Sequence, residues 1–66
     1  MPIVRIEMFE GRDAETKQKL VTEMTDSLHR LTGCSKESVH VVITDVPKVN
    51  WGLGGELAST KFPDNT

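Results

Sequence analysis

The sequence predicts an α+β fold: one β-α-β unit, with two parallel strands joined by a single crossover helix and followed by a short C-terminal hairpin. Three observations predict it. Residues 3–9 alternate with period two, residues 14–32 place apolar side chains at helical spacing, and residues 39–44 form a nearly continuous β-branched run. Strand, helix and strand in that order make a βαβ unit, whose crossover is right-handed and whose strands lie parallel.

In the first strand Val4, Ile6 and Met8 share one side, and Ile3, Arg5, Glu7 and Phe9 the other. Glu10-Gly11-Arg12 turns the chain. Asp13 is a good helix N-cap, and Glu15 favours the first turn by meeting the positive end of the helix dipole. From Ala14 to Thr32 the apolar stripe is Ala14, Leu20, Val21, Met24, Leu28 and Leu31, while Lys17, Lys19, Glu23, Asp26 and Arg30 solvate other faces. Gly33 is placed to end this helix in a left-handed conformation, and Ser35-Lys36-Glu37-Ser38 fits one short capped turn. Val39 to Thr44 is expected to be a strand covered on both faces, which Pro47 terminates. Asn50-Trp51-Gly52-Leu53-Gly54-Gly55 holds too many glycines for regular structure and is read as a turn or small hairpin laid against a neighbour's sheet.

With 66 residues there is room for one domain, and a chain of this size buries only ~60% of the surface its unfolded form exposes. A single domain over residues 1–66 is expected, with residues 60–66 a flexible tail. A hydrophobic fraction of 36% is modest, and neither a disulfide framework nor a metal-ligand set compensates for it. Oligomerisation is the remaining route to stability. The net charge is −2, with eight basic and ten acidic residues well mixed, so no basic patch marks a nucleic-acid partner. No apolar run approaches the ~18 residues of a membrane span, and the start lacks the regions of a secretion signal. The lone Cys34 fits a reducing compartment, so the expected location is cytoplasmic.

Pro2 carries the most specific chemical signal. Within a chain the proline nitrogen is an amide that neither takes a proton nor attacks an electrophile. Removal of Met1, which processing favours before a small second residue, turns it into a secondary amine. An exposed α-amino group titrates near ~8, and an apolar pocket or a neighbouring cation disfavours its protonated form. A free Pro2 is thereby suited to be a general base.

Pro2-Ile3, Glu10-Gly11-Arg12, Val41-Val42-Ile43-Thr44 and the segment from Trp51 through Gly54-Gly55-Glu56 to Ser59 together resemble the 4-oxalocrotonate tautomerase family, from Pro2 to about Ser59. The resemblance implies a tautomerase-type β-α-β unit, two of which pair into a four-stranded sheet in a dimer, with three dimers usually closing into a hexamer. It also implies active sites shared between subunits. Such relatives ketonise enols of small 2-oxo acids such as 2-hydroxymuconate, their terminal proline moving a proton from the dienol oxygen to a distant carbon, with no cofactor and no metal.

On that resemblance Arg12 binds the substrate carboxylate, and its planar fork suits bidentate pairing. Trp51 lines the site and keeps water from the amine, or anchors an interface. Phe9 is a weaker candidate for the apolar wall. His40 is a departure, because the best-known tautomerases place there a second arginine that binds the oxygen where charge accumulates. A histidine titrating near ~6.5 is mostly neutral at pH 7, and losing a charge-assisted donor costs on the order of 10²-fold in rate. His40 is read either as a weakened donor or as a residue packed at a subunit contact.

Relatives that hydrate 3-haloacrylates carry a carboxylate near the aromatic, where this chain has Leu53, and a second arginine where it has Phe9. Hydration is disfavoured, with Glu10 and Glu56 the alternatives for activating water. Cys34 and His29 have no partner at catalytic or metal spacing and receive no role. Two function classes follow: a Pro2-dependent tautomerase acting on a small carboxylate, or a non-catalytic oligomeric module of the same fold.

Overall fold

A computed structural model describes residues 1–63. Strand β1 (Ile3–Phe9) leads through a short turn into helix α1 (Ala14–Thr32), and strand β2 (His40–Val46) returns beside β1. The two strands are parallel and in register from Ile3 opposite His40 to Phe9 opposite Val46. Two-residue strands β3 (Gly52–Leu53) and β4 (Glu56–Leu57) form an antiparallel hairpin, and a four-residue helix α2 (Ala58–Lys61) follows. Single turns of 3-10 helix at Lys36–Ser38 and Lys48–Asn50 flank β2.

Local chemistry sets the helix ends. The Asp13 side chain accepts a hydrogen bond from the Thr16 backbone N–H at 2.9 Å, satisfying one of the amides that the first turn leaves unpaired. Gly33 closes the other end at φ 78°, its N–H donating to the His29 carbonyl. The Thr16 hydrogen bonds hold the Asp13 carboxyl below its ordinary pKa. Because the folded value is depressed, the cap's charge contribution is complete above the unfolded carboxyl's range near ~4 and fades as pH falls through the folded value. The gap in melting temperature between the wild type and Asp13→Ala is therefore expected to be constant above about pH 5 and to narrow below it; a gap that widens in acid would contradict the capping role.

The helix lies over one face of the sheet. Val4, Ile6 and Met8 of β1 and Val41 and Ile43 of β2 are half-buried on that side, as are Leu20, Val21, Met24 and Leu28 of α1. Asp45, at the end of the same face, forms an ion pair with Lys17 of α1. Leu31 departs from the expected stripe, being 74% exposed. At about 28 Å the nineteen-residue helix overhangs a seven-residue strand of about 23 Å, so its last turn has no sheet beneath it.

The expectation that β2 is covered on both faces is corrected. Its burial alternates, and Val42 is 41% exposed beside Ile3 at 50%. Among the described residues that second face is open at Ile3 and Val42, and only its Phe9 end meets the hairpin. Ala58 is the only apolar side chain fully buried among the described residues. The radius of gyration is 14.9 Å, against about 11 Å for a compact chain of this length, and the extents of 43 × 24 × 14 Å describe a slab rather than a sphere. Within the segment expected to be a tail from residue 60, Thr60 and Lys61 belong to α2, whose last turn is closed by the Phe62 N–H on the Ala58 carbonyl. Residues 64–66 lie outside the described residues.

Candidate active site

The sheet has two ends, and the candidate residues divide between them. At the first end Pro2 stands one residue before β1, half-buried. Its carbonyl oxygen accepts the His40 backbone N–H at 3.0 Å, extending the β1–β2 ladder by one bond. Pro2 and His40 are thus held side by side on adjacent strands. Met1 is 78% exposed, which leaves the Met1–Pro2 peptide bond at the surface.

At the other end Phe9 closes β1. Its ring meets Trp51 edge-on, with centroids 4.6 Å apart and planes at 67°, a geometry in which ring edge and ring face attract. Phe62 adds a third ring, 6.4 Å from Phe9. The Lys48 ammonium lies 5.5 Å from the Phe9 centroid and donates to the Phe62 carbonyl at 2.6 Å. Trp51 is fixed by the hairpin: its carbonyl accepts the Ala58 N–H at 2.7 Å, and the hairpin itself turns on Gly54 and Gly55 at φ 65° and 86°. Positive φ at both central residues is the primed-turn geometry that glycine permits at no steric cost.

Arg12 follows on the exposed turn between β1 and α1. It lies beyond the Phe9 end, so the length of β1, about 23 Å, separates it from Pro2 of the same chain. One chain brings Phe9 together with Trp51, and Pro2 together with His40, and keeps the two groups apart. The sequence reading missed Lys48 and Glu7. Glu7, on the uncovered face, lines a shallow recess of about 250 Å³ with Val46, Asn50, Trp51 and Gly52. Nothing local marks Lys48, because its contact with Phe62 spans fourteen positions. Glu7 carried a signal in the period-two pattern, which puts it on the same face as Phe9. Cys34 is half-buried, and its carbonyl lies 2.7 Å from His29 Nδ1. Among the described residues no cluster of His, Cys, Asp or Glu is arranged to hold a metal, and no helix is long and apolar enough to cross a membrane.

The tautomerase-enzyme family pattern matches residues 2–61, which takes in both ends of the sheet, the helix and the hairpin. A solved 4-oxalocrotonate tautomerase isozyme from Methylibium petroleiphilum superposes with a TM-score of 0.86 at 39% identity, covering 92% of this chain and 98% of that one. The chain belongs to the 4-oxalocrotonate tautomerase family. Among curated tautomerases, the 2-hydroxymuconate tautomerase of Stutzerimonas stutzeri is 43% identical over 58 residues, which is 88% of this chain and 92% of the relative. A heterohexamer 4-oxalocrotonate tautomerase from Chloroflexus aurantiacus J-10-fl has the same fold at a TM-score of 0.83 and 29% identity, covering 89% and 95% of the two chains. Of the two classes left open by the sequence, the enzyme is the one the family supports, and this tautomerase is an isomerase.

Proposed function

We propose that this tautomerase ketonises enols of small 2-oxo acids of the 2-hydroxymuconate kind, with Pro2 as general base once Met1 has been removed. The observation that carries the reading is the setting of Pro2, half-buried at the head of β1 behind one exposed residue. Removing that residue converts an amide into an amine without disturbing the strand, because the bond that pins Pro2 uses its carbonyl and not its nitrogen. The amine accepts the proton of the enol hydroxyl and returns it to the far carbon of the conjugated system, so one group is base and then acid. The reaction balances without an oxidant, a metal or a cofactor.

Arg12 is assigned to the substrate carboxylate, which its guanidinium fork pairs bidentately. Phe9 and Trp51 supply the apolar wall that excludes water and so weakens the protonated form of the amine. Since these groups stand a strand's length from Pro2 of their own chain, the complete site takes them from a neighbouring copy. A homo-oligomer follows, a trimer of dimers in the proposal, and the heterohexamer relative lends it support.

His40 is assigned to the oxygen on which negative charge develops. Its imidazole is a weaker donor there than a guanidinium, so His40→Arg is expected to raise kcat on 2-hydroxymuconate by ~10²-fold. Steady-state ketonisation of 2-hydroxymuconate and of phenylpyruvate enol tests the proposal. Turnover of neither substrate by the trimmed protein would refute it, and an unchanged kcat in His40→Arg would remove His40 from the site.

A further inference from the structure

The turn that carries Arg12 has little packing to hold it. Its four residues, 10–13, join β1 to α1, and among the described residues no backbone hydrogen bond closes the turn on itself. Gly11 stands at φ 124°, and a Cβ built there would meet nothing within 4 Å, so no neighbouring element packs against the chain at that point. A recess of about 820 Å³ opens beside it, bordered by Glu10, Gly11, Asp45 and Pro47. Arg12 is exposed, and among the described residues its guanidinium has neither a hydrogen bond nor an ion pair. Its position is therefore set by what holds the two ends of the turn.

Both ends are tied to β2, at consecutive residues. On the strand side the Glu10 N–H donates to the Val46 carbonyl at 3.2 Å, adding one bond to the β1–β2 ladder. On the helix side Lys17 Nζ donates to Asp45 Oδ2, and the Lys17 N–H donates to the Asp13 carbonyl at 3.1 Å. Lys17 thus connects residue 13, next to Arg12, with residue 45, next to Val46. The Asp13 cap on the Thr16 N–H stiffens this first helical turn, so a displacement at Lys17 is passed on to Arg12. The Lys17 and Asp45 side chains are only 29% and 35% exposed, whereas those of the second ion pair, Lys36 and Asp26, are 56% and 51% exposed. Solvent and salt screen the first pair less.

We infer that Lys17 and Asp45 are positioning residues for the substrate carboxylate: their ion pair fixes the first turn of α1 on the end of β2 and thereby aims Arg12. This role rests on the assignment of Arg12 to that carboxylate. Without the pair the turn keeps only its strand-side bond, and Arg12 samples more orientations. Binding must then order it, which weakens affinity and leaves the proton transfer at Pro2 unchanged.

Steady-state kinetics on 2-hydroxymuconate with trimmed Lys17→Met, Asp45→Asn, Lys17→Arg and the charge swap Lys17→Glu/Asp45→Lys provide the test, with far-UV circular dichroism to confirm folding. Lys17→Met and Asp45→Asn are each expected to raise KM by about 5- to 10-fold and to leave kcat within about twofold, as weakened binding does and weakened chemistry does not. Lys17→Arg keeps the wild-type KM, and the charge swap recovers most of it. A purely structural pair would give the same loss whether or not Arg12 is present. In an Arg12→Ala background, by contrast, Lys17→Met is expected to raise KM by no more than about twofold, because the group it aims is already gone. An unchanged KM in Lys17→Met, an undiminished effect beside Arg12→Ala, or a fall in kcat as large as the rise in KM would each overturn the inference. Should Arg12→Ala itself leave KM unchanged, the assignment of Arg12 falls and the positioning role with it. A raised KM in Arg12→Ala beside a wild-type KM in Lys17→Met removes the positioning role alone.

Discussion

Pro2→Ala is expected to lower kcat/KM on 2-hydroxymuconate by at least ~10²-fold, within the range that a positioned general base contributes. The loss is not total, because an alanine terminus still bears an amine once Met1 is gone. That amine is primary and sits on a backbone whose φ is no longer fixed by a ring, so its lone pair is less well directed at the substrate hydroxyl. The defect belongs in kcat, since carboxylate binding at Arg12 is untouched. A Pro2→Ala enzyme that turns over at the wild-type rate would take the catalytic role away from Pro2.

Arg12→Ala is expected to cost about 10- to 100-fold in kcat/KM, mostly through KM, because it removes a charge-assisted bidentate contact to a carboxylate. Arg12→Lys recovers only part of this, as an ammonium offers a point charge where the fork offered two parallel donors. The same variant reports on site sharing. Arg12→Ala chains still carry Pro2, and Pro2→Ala chains still carry Arg12, and in each the missing group belongs to a site completed by another copy. When the two are unfolded together and refolded, half of the randomly formed pairs are mixed. Each mixed pair holds one intact site and one doubly defective site, so activity returns to about a quarter of the wild-type value. A refolded mixture no more active than its parents would place Pro2 and Arg12 in the same chain's site.

The elements were legible because each is set by short-range chemistry. Asp13 caps α1 and Gly33 stops it where side-chain oxygen and positive φ say they should. The period-two pattern of Ile3 to Phe9 foretold which side chains of β1 lie under the helix. Legibility ended where the cause was a long-range contact or a missing surface. Val39 to Thr44 looked buried on both faces because β-branched side chains fill nearly every position, but among the described residues one face of β2 stays open, so side-chain type alone did not report which face is covered. Leu31 kept helical spacing, yet spacing carries no information about where the sheet stops. The α2 turn went unseen because Ala58–Lys61 is too short for a periodic signal, and it exists through the Ala58 N–H on the Trp51 carbonyl and the burial of the Ala58 side chain.

The candidate site divides in the same way. Pro2, Arg12, Phe9, Trp51 and His40 were each singled out from the sequence, but their partition between the two ends of β1 is a property of the register. It turns a collection of residues that one chain cannot assemble into an argument for a second copy. Lys48 and Phe62 join Phe9 and Trp51 across the chain, and that contact ties the hairpin and α2 to the end of the strand that bears the arginine turn.

The central claim is that catalysis begins when the nitrogen of Pro2 ceases to be an amide. It is tested most directly by preparing the protein in two forms, one with Met1 removed and one with Met1 retained, verifying each by intact mass, and measuring turnover of 2-hydroxymuconate by both. The trimmed form is expected to be active and the untrimmed form inert, with activity in mixtures rising in step with the trimmed fraction. Equal turnover by protein that still carries Met1 would contradict the account.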